Sequence, residues 1–238
     1  MVYIKHFYGG LCNNLLQINN ALELFNLLHM KLDYLKIVPK MHNPKYNSRN
    51  VTFLFKELEK HYIYPKTNRI FNRCKRIRYS GKTIPRIRIH RNYVLCHDFN
   101  AKSTDHIYNY LDILNKQKII KEKYEDIVNN TIAFHIRRGD YLNYKVYRKF
   151  LLSDKFIIDT LNKYIENQVL IFTNPESIDY IKKLTKDFKN IIYSYDLKLN
   201  LDEEFLLGSV CNHVITTPNS TFSRLMKNFN IRYMNHKD

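Results

Sequence analysis

Short apolar runs alternate with longer segments of helical periodicity through the second half of this chain. Residues 131–135, from Thr131 to His135, make a compact apolar run that predicts a buried strand. Ser153 and Asp154 open an amphipathic helix to about residue 166, and residues 168–173 predict a second strand. Pro175 and Glu176 suit the first turn of a helix through residue 186, ahead of a third strand at 190–194. Asp202, Glu203 and Glu204 place acids at the positive end of a helix around Gly208. A fourth strand at 213–216, a helix at 221–229 and a fifth strand at 231–234 complete the series. Strands alternating with amphipathic helices predict an α/β fold with a parallel, doubly wound sheet.

The first half is less regular. A strand at 2–6 leads through Tyr8, Gly9 and Gly10 into a helix at 13–30 and a strand at 34–38, which together make one βαβ unit. Residues 40–100 hold a short helix at 51–61 and a basic hairpin. Another helix runs from Ser103 toward Lys118, and residues 121–128 join the halves. The expected organisation is two Rossmann-like α/β halves, 1–124 and 125–238. They would face a cleft with His135–Tyr141 on its wall.

Composition then narrows the classes. Apolar residues make up 45% of the chain, as in an ordered globular protein. No run approaches membrane-spanning length, and the N-terminal residues lack a signal-peptide core. Cys12, Cys74, Cys96 and Cys211 are widely spaced with no zinc pattern, so reduced thiols and a cytoplasmic location are expected. The formal charge of +17 implies attraction to anions. Nine Lys and Arg residues and no acid lie between Arg69 and Arg91. Alternation from Ile84 to Arg91 gives a strand one cationic face. That face suits a solvated edge that resists sheet pairing, an anionic membrane surface, an acidic acceptor or a nucleic acid. Sparse aromatics (Phe71, Tyr79, Tyr93) and the absence of a nucleic-acid motif disfavour the last.

The candidate chemistry centres on His135-Ile136-Arg137-Arg138-Gly139-Asp140-Tyr141, at the end of the first apolar run. Arginine offers a fixed fork of donors that matches phosphate oxygens. Glycine permits close backbone approach, and ligands of open α/β sheets bind beyond strand ends. A surface loop whose arginines pair with Asp140 fits the same residues. Gly9 to Gln17 forms a strand-to-helix turn that suits an anion, a sugar hydroxyl or simply a tight bend. Thr216 to Ser223 combines hydroxyls with a helix start. That arrangement fits either a diphosphate or capping by Asn219 or Ser220.

Taken together, the segments at 9–17, 135–141 and 219–223 resemble those of the α-1,2-fucosyltransferase family, and more distantly the α-1,6- and protein O-fucosyltransferases. The resemblance implies a two-domain GT-B fold and inverting transfer of fucose from GDP-fucose to a hydroxyl of a glycan or glycolipid. It implies no metal, and the chain has no Asp-x-Asp pair to hold one. By position, Arg137 or Arg138 would hold the β-phosphate, and Asn219, Ser220, Thr221 and Phe222 would form a phosphate cradle. His135 would lie near the base or ribose. Glu204 falls where relatives place an acid, which would accept the paired N–H groups of guanine. Asp140 would either deprotonate the acceptor or orient the arginines. Gly9, Gly10, Asn13, His97 and Asp98 are the acceptor-side candidates. The chain departs from the family in carrying Cys12 and Asn14 in the first motif. It has Arg224-Leu225 in place of tandem tryptophans, and no Trp anywhere. Transfer from another nucleotide sugar, an inactive glycan-binding protein and a basic nucleic-acid-binding protein are the alternatives.

Overall fold

In a computed structural model of the protein the described residues are 2–5, 11–38, 57, 74–77, 93–95 and 103–236. They fall in two compact units, Met1–Ile113 and Leu114–Asp238. The division comes ahead of residue 124, at the start of a helix.

The first unit holds a parallel sheet of β1 (Val2–Lys5), β2 (Leu35–Val38), β3 (Lys75–Ile77) and β4 (Tyr93–Leu95), in the order β2-β1-β4-β3. Val2 is in register with Leu35 on one side and Tyr93 on the other. Lys75–Ile77 pairs in parallel with Tyr93–Leu95, with Arg76 in register with Val94. The cationic strand of the basic hairpin at 84–91 and, except for Glu57, the short helix at 51–61 lie outside the described residues. Helix α1 (Leu11–Leu27) follows β1, and its Leu11, Leu15, Ile18, Leu22 and Phe25 are buried at helical spacing. Asn19 is also fully buried. Its amide donates to the Ser103 carbonyl (2.8 Å) and its oxygen accepts from Ile107 N–H (3.1 Å), so neither end is left unsatisfied. The helix expected from 103 to 118 is two helices, α2 (Asp105–Tyr110) and α3 (Ile113–Lys123). Asp112, at φ 48°, breaks the run between them.

The second unit follows the predicted alternation closely. After α4 (Glu125–Val128) come β5 (Thr131–Ile136), α5 (Gly139–Asn143), α6 (Asp154–Lys163), β6 (Gln168–Thr173) and α7 (Ile178–Leu184). Then follow β7 (Ile191–Tyr193), α8 (Leu201–Val210), β8 (His213–Ile215) and α9 (Thr221–Met234). The sheet is parallel with order β7-β6-β5-β8, so β5 is an interior strand and every one of its residues is buried. Phe134, Ile136, Val169 and Ile171 point to one face and pack with Ile157, Leu161 and Ile181. On the opposite face Phe172 meets α8 and α9, where Phe205 stacks edge-on against Phe222 and Phe229.

The fifth strand expected at 231–234 does not form, because those residues continue α9. Leu225, Met226, Phe229 and Tyr233 are buried at helical spacing, whereas Ile231 is half exposed. Asn230, just ahead of that stretch, donates from its amide to the carbonyls of Cys211 (2.6 Å) and Ser209 (3.2 Å). The carbonyls at the end of α8 thereby gain donors. Gln117 makes a second polar tie, donating to the Ser209 hydroxyl at 2.9 Å and lying within reach of the Phe229 carbonyl at 3.3 Å.

Gly208 sets how closely α8 can approach α9. A Cβ there would lie 2.5 Å from Met226 Sδ and 3.0 Å from Phe172 Cζ. Gly208→Ala gains helix propensity but overpacks a buried seam, an effect of about 1–3 kcal/mol. A net loss of roughly 1 kcal/mol or more is therefore expected in chemical denaturation. An unchanged or raised midpoint would show that the seam can relax.

Candidate active site

The turn after β5 is held in place from both sides. Thr217, just beyond β8, donates its hydroxyl proton to the His135 carbonyl at 2.6 Å and accepts the Arg137 N–H at 3.0 Å. On the β6 side, the Thr173 hydroxyl donates to the Ile136 carbonyl at 2.8 Å, and Asn174 Oδ1 accepts from Arg138 N–H at 3.3 Å. Tyr141 closes the turn, its hydroxyl donating to the Pro218 carbonyl at 3.3 Å. Glycine is required within this frame. A Cβ on Gly139 would stand 2.9 Å from Asn174 Cγ and 3.0 Å from Glu176 Oε1.

The two arginines have different surroundings. Arg137 makes a two-pronged ion pair with Asp140, through Nε to Oδ1 at 2.9 Å and Nη2 to Oδ2 at 2.7 Å. Its guanidinium also lies 5.1 Å from the centre of the Tyr141 ring. Arg138 lies over the Tyr180 ring, 3.9 Å from its centroid, within the range of a cation–π contact. Tyr180 is itself fixed by a hydrogen bond from its hydroxyl to Asp154 at the start of α6. Asp140, three residues from Arg137, is the partner that the motif itself offers, whereas Asn174, Tyr180 and Thr217 are distant along the chain and are brought to the arginines by the fold.

His135 is buried at 8% exposure, and its ring packs 5.3 Å from that of Phe222. Burial removes hydration from the charged form, and nearby Arg137 repels it, so the imidazole pKa is pushed down to about 3. The ring is therefore neutral at physiological pH. Its Nδ1 is buried without a hydrogen-bond partner among the described residues.

The 219–222 segment turns into α9. Asn219 has a positive φ of 58° and is exposed. Ser220 caps the helix, its hydroxyl accepting from Ser223 N–H at 3.5 Å. Beside this turn lies a cavity of about 370 Å³ whose lining includes Thr216, Asn219, Thr221, Arg224, Lys227 and Asn228. Arg224 and Lys227 are additions to the predicted set. Their legible signal was a pair of basic residues at helical spacing just after the hydroxyl-rich turn.

The structure thus gathers His135, Arg137, Arg138 and Asp140 with Thr217, Ser220 and Phe222 at neighbouring strand ends. Glu204 sits on α8, where it accepts a hydrogen bond from the Ser194 hydroxyl at 2.6 Å. The adjacent Phe205 packs against Phe222. Asn13 lies on α1 in the first unit, and its buried carboxamide oxygen has no partner among the described residues. Gly9, Gly10, His97 and Asp98 lie outside the described residues. No cluster of three or more His, Cys, Asp or Glu residues able to hold a metal ion occurs among the described residues. None of their helices is long and apolar enough to cross a membrane.

The family model for Glycosyl transferase family 11 matches residues 89–233. The chain belongs to glycosyl transferase family 11. The strands and helices of the second unit's candidate site fall within that region, except for Met234, the last residue of α9. Among solved structures, POFUT1 in complex with GDP superposes with a TM-score of 0.53 at 12% identity, covering 96% of this chain and 94% of that one. POFUT1 in complex with GDP-fucose gives 0.53 at 10% identity, with the same coverage. The α-1,6-fucosyltransferase NodZ soaked with GDP-fucose gives 0.51 at 13% identity, covering 96% and 92%; NodZ comes from Bradyrhizobium. At such identities the likeness is one of fold. A comparison with curated proteins gives no match.

The buried histidine of this family 11 chain makes a pH prediction. Its folded pKa of about 3 lies below the ordinary 6.5, so between those values the unfolded chain binds more protons. The stability contributed by the neutral ring is complete above 6.5 and is lost as pH falls toward 3. Going from about pH 7 to about pH 5 should cost roughly 2 kcal/mol through this residue. His135→Gln should show a loss smaller by that amount in paired urea denaturations. Equal losses in both proteins would mean that the ring protonates without penalty.

Proposed function

We propose that this family 11 glycosyltransferase transfers fucose from GDP-fucose to a hydroxyl of a glycan or glycolipid, with inversion and without a metal. The observation that carries the reading is the pair of oriented guanidinium groups beside the hydroxyl-rich start of α9. Arg137 and Arg138 follow β5 in the interior of the sheet, while Ser220 and Thr221 open a helix of 14 residues. Cations and exposed helical amides at the ends of neighbouring parallel strands suit a diphosphate. The solved relatives with GDP or GDP-fucose bound support the same choice of donor. The reading includes the GT-B arrangement and the α-1,2 linkage expected from the sequence motifs.

In this scheme the acceptor hydroxyl oxygen attacks the anomeric carbon, the sugar–phosphate bond breaks, GDP leaves with the bonding electrons, and the hydroxyl proton passes to solvent water. Negative charge grows on the β-phosphate oxygen. Arg138, Arg137 and the α9 amides stabilise it, and the stabilisation strengthens with the charge. Asp140 acts mainly through Arg137: a carboxylate with both oxygens engaged by one guanidinium is a poor base but a good orienting group. Neutral His135 keeps a hydrogen-bonding ring near the nucleotide without adding a further buried cation. Glu204, with one oxygen on Ser194, is assigned to the guanine edge.

Purified protein with GDP-fucose and excess chelator should release GDP when a suitable glycan acceptor is supplied. Arg138→Ala should lower kcat/KM by about 10²–10³-fold, the usual effect of removing one donor to developing charge. Glu204→Ala should erode discrimination between GDP-fucose and other nucleotide sugars. Consumption of a UDP-sugar in preference, or an absolute need for divalent metal, would leave a family 11 enzyme but contradict this donor assignment.

A further inference from the structure

Beyond Asp140 the chain presents a surface that the proposed transfer reaction does not use. Leu142, Tyr144, Val146 and Tyr147 are all exposed, with Val146 at 68%. The other exposed large apolar residues among those described stand well apart from one another along the chain. Cations are interleaved with the apolar cluster at Lys145, Arg148 and Lys149, and no acid occurs between Tyr141 and Ser153. A single 3₁₀ segment, Lys145–Phe150, carries most of these residues.

The cluster is ordered by its own contacts. Tyr147 stacks on Tyr141 at 5.6 Å between ring centres and meets Tyr144 edge-on at 6.0 Å. Arg148 Nε donates to the Leu142 carbonyl at 3.0 Å, tying the 3₁₀ segment back to α5. Lys149 lies 5.1 Å from the centre of the Phe150 ring. The chain therefore holds aromatic, aliphatic and cationic groups together on a braced surface.

We propose that residues 142–150 form a docking face for an anionic lipid bilayer. Charge complementarity selects this occupant, since lysine and arginine heads meet anionic headgroups while their stems and the apolar side chains enter the layer below. Tyrosine is suited to that boundary, with an apolar ring and a polar tip. A protein partner fits less well, because protein interfaces are depleted in lysine at their cores. A nucleic acid would use the cations but gain little from exposed Val146 and Leu142. The inference stands apart from the donor assignment, since it uses none of the residues placed at the diphosphate.

Vesicle co-sedimentation of the full chain tests it. The wild-type protein is expected to bind vesicles in which about a third of the lipid is phosphatidylglycerol, and to ignore pure phosphatidylcholine. Lys145→Glu with Lys149→Glu should weaken binding by at least about 25-fold, taking about fivefold per lysine lost. Val146→Asp should weaken it as well, although its change in net charge is smaller. Because the chain has no Trp, Val146→Trp supplies a single fluorophore at the centre of the face. Its emission should shift to the blue on anionic vesicles and be quenched by brominated acyl chains. The proposal is overturned by absent vesicle binding, by binding that survives the lysine and valine variants, or by a tryptophan that stays in water. Tighter capture by a single-stranded oligonucleotide, lost in the same variants, would instead assign the face to nucleic acid.

Discussion

One threonine hydroxyl joins the two loops on which the candidate chemistry depends. Thr217 donates to the carbonyl of His135 and accepts the N–H of Arg137, spanning the point where β5 stops and its chain turns. Interior strands of a parallel sheet have their backbone groups paired along the ladder, but the first residues beyond the ladder lose those partners. Here a side chain from the neighbouring loop replaces them. The bond fixes where Arg137 and Arg138 leave the sheet, and it ties the hydroxyl-rich start of α9 to the same place. Gly139 fits the remaining space so closely that an added methyl group would touch Asn174.

Electrostatics shapes the same site. A chain with a formal charge of +17 has cations in excess, so orienting them is harder than supplying them. Arg137 is oriented by the two oxygens of Asp140, and Arg138 by the face of Tyr180. An imidazolium beside them would add a third positive charge in a buried place. Burial and Arg137 together keep His135 neutral, which removes that repulsion. Positive charge at the turn is therefore carried by the two guanidinium groups, while the neighbouring imidazole is held uncharged.

The second unit was readable from the sequence because its physical signals were local. Each strand was a short apolar run, and helix starts carried local signals such as Ser153, which accepts from Phe156 N–H, and the acids Asp202–Glu204; the Asn200–Glu203 capping box at that second start is added by the structure. The failure at 231–234 came from reading a few apolar residues without their predecessors: with Leu225, Met226 and Phe229 included, the helical period wins. Asp112 was similarly opaque, since a left-handed aspartate mid-helix depends on tertiary packing. At the site the Arg137–Asp140 pairing was one of two readings the motif allowed. Tyr180 under Arg138, and Thr217 as the link between loops, are products of the fold and carry no sequence signal.

The central claim is that this turn and helix start form a metal-independent site for a guanine nucleotide diphosphate. Calorimetric titration of GDP, UDP and ADP into the purified protein, with chelator present, tests it most directly. The account predicts that GDP binds with a clear preference over UDP and ADP, and that Arg138→Ala weakens GDP at least tenfold, as expected for loss of one charge-assisted contact of about 1.4 kcal/mol or more. Failure of all three nucleotides to bind, or GDP binding untouched in the variant, would contradict it.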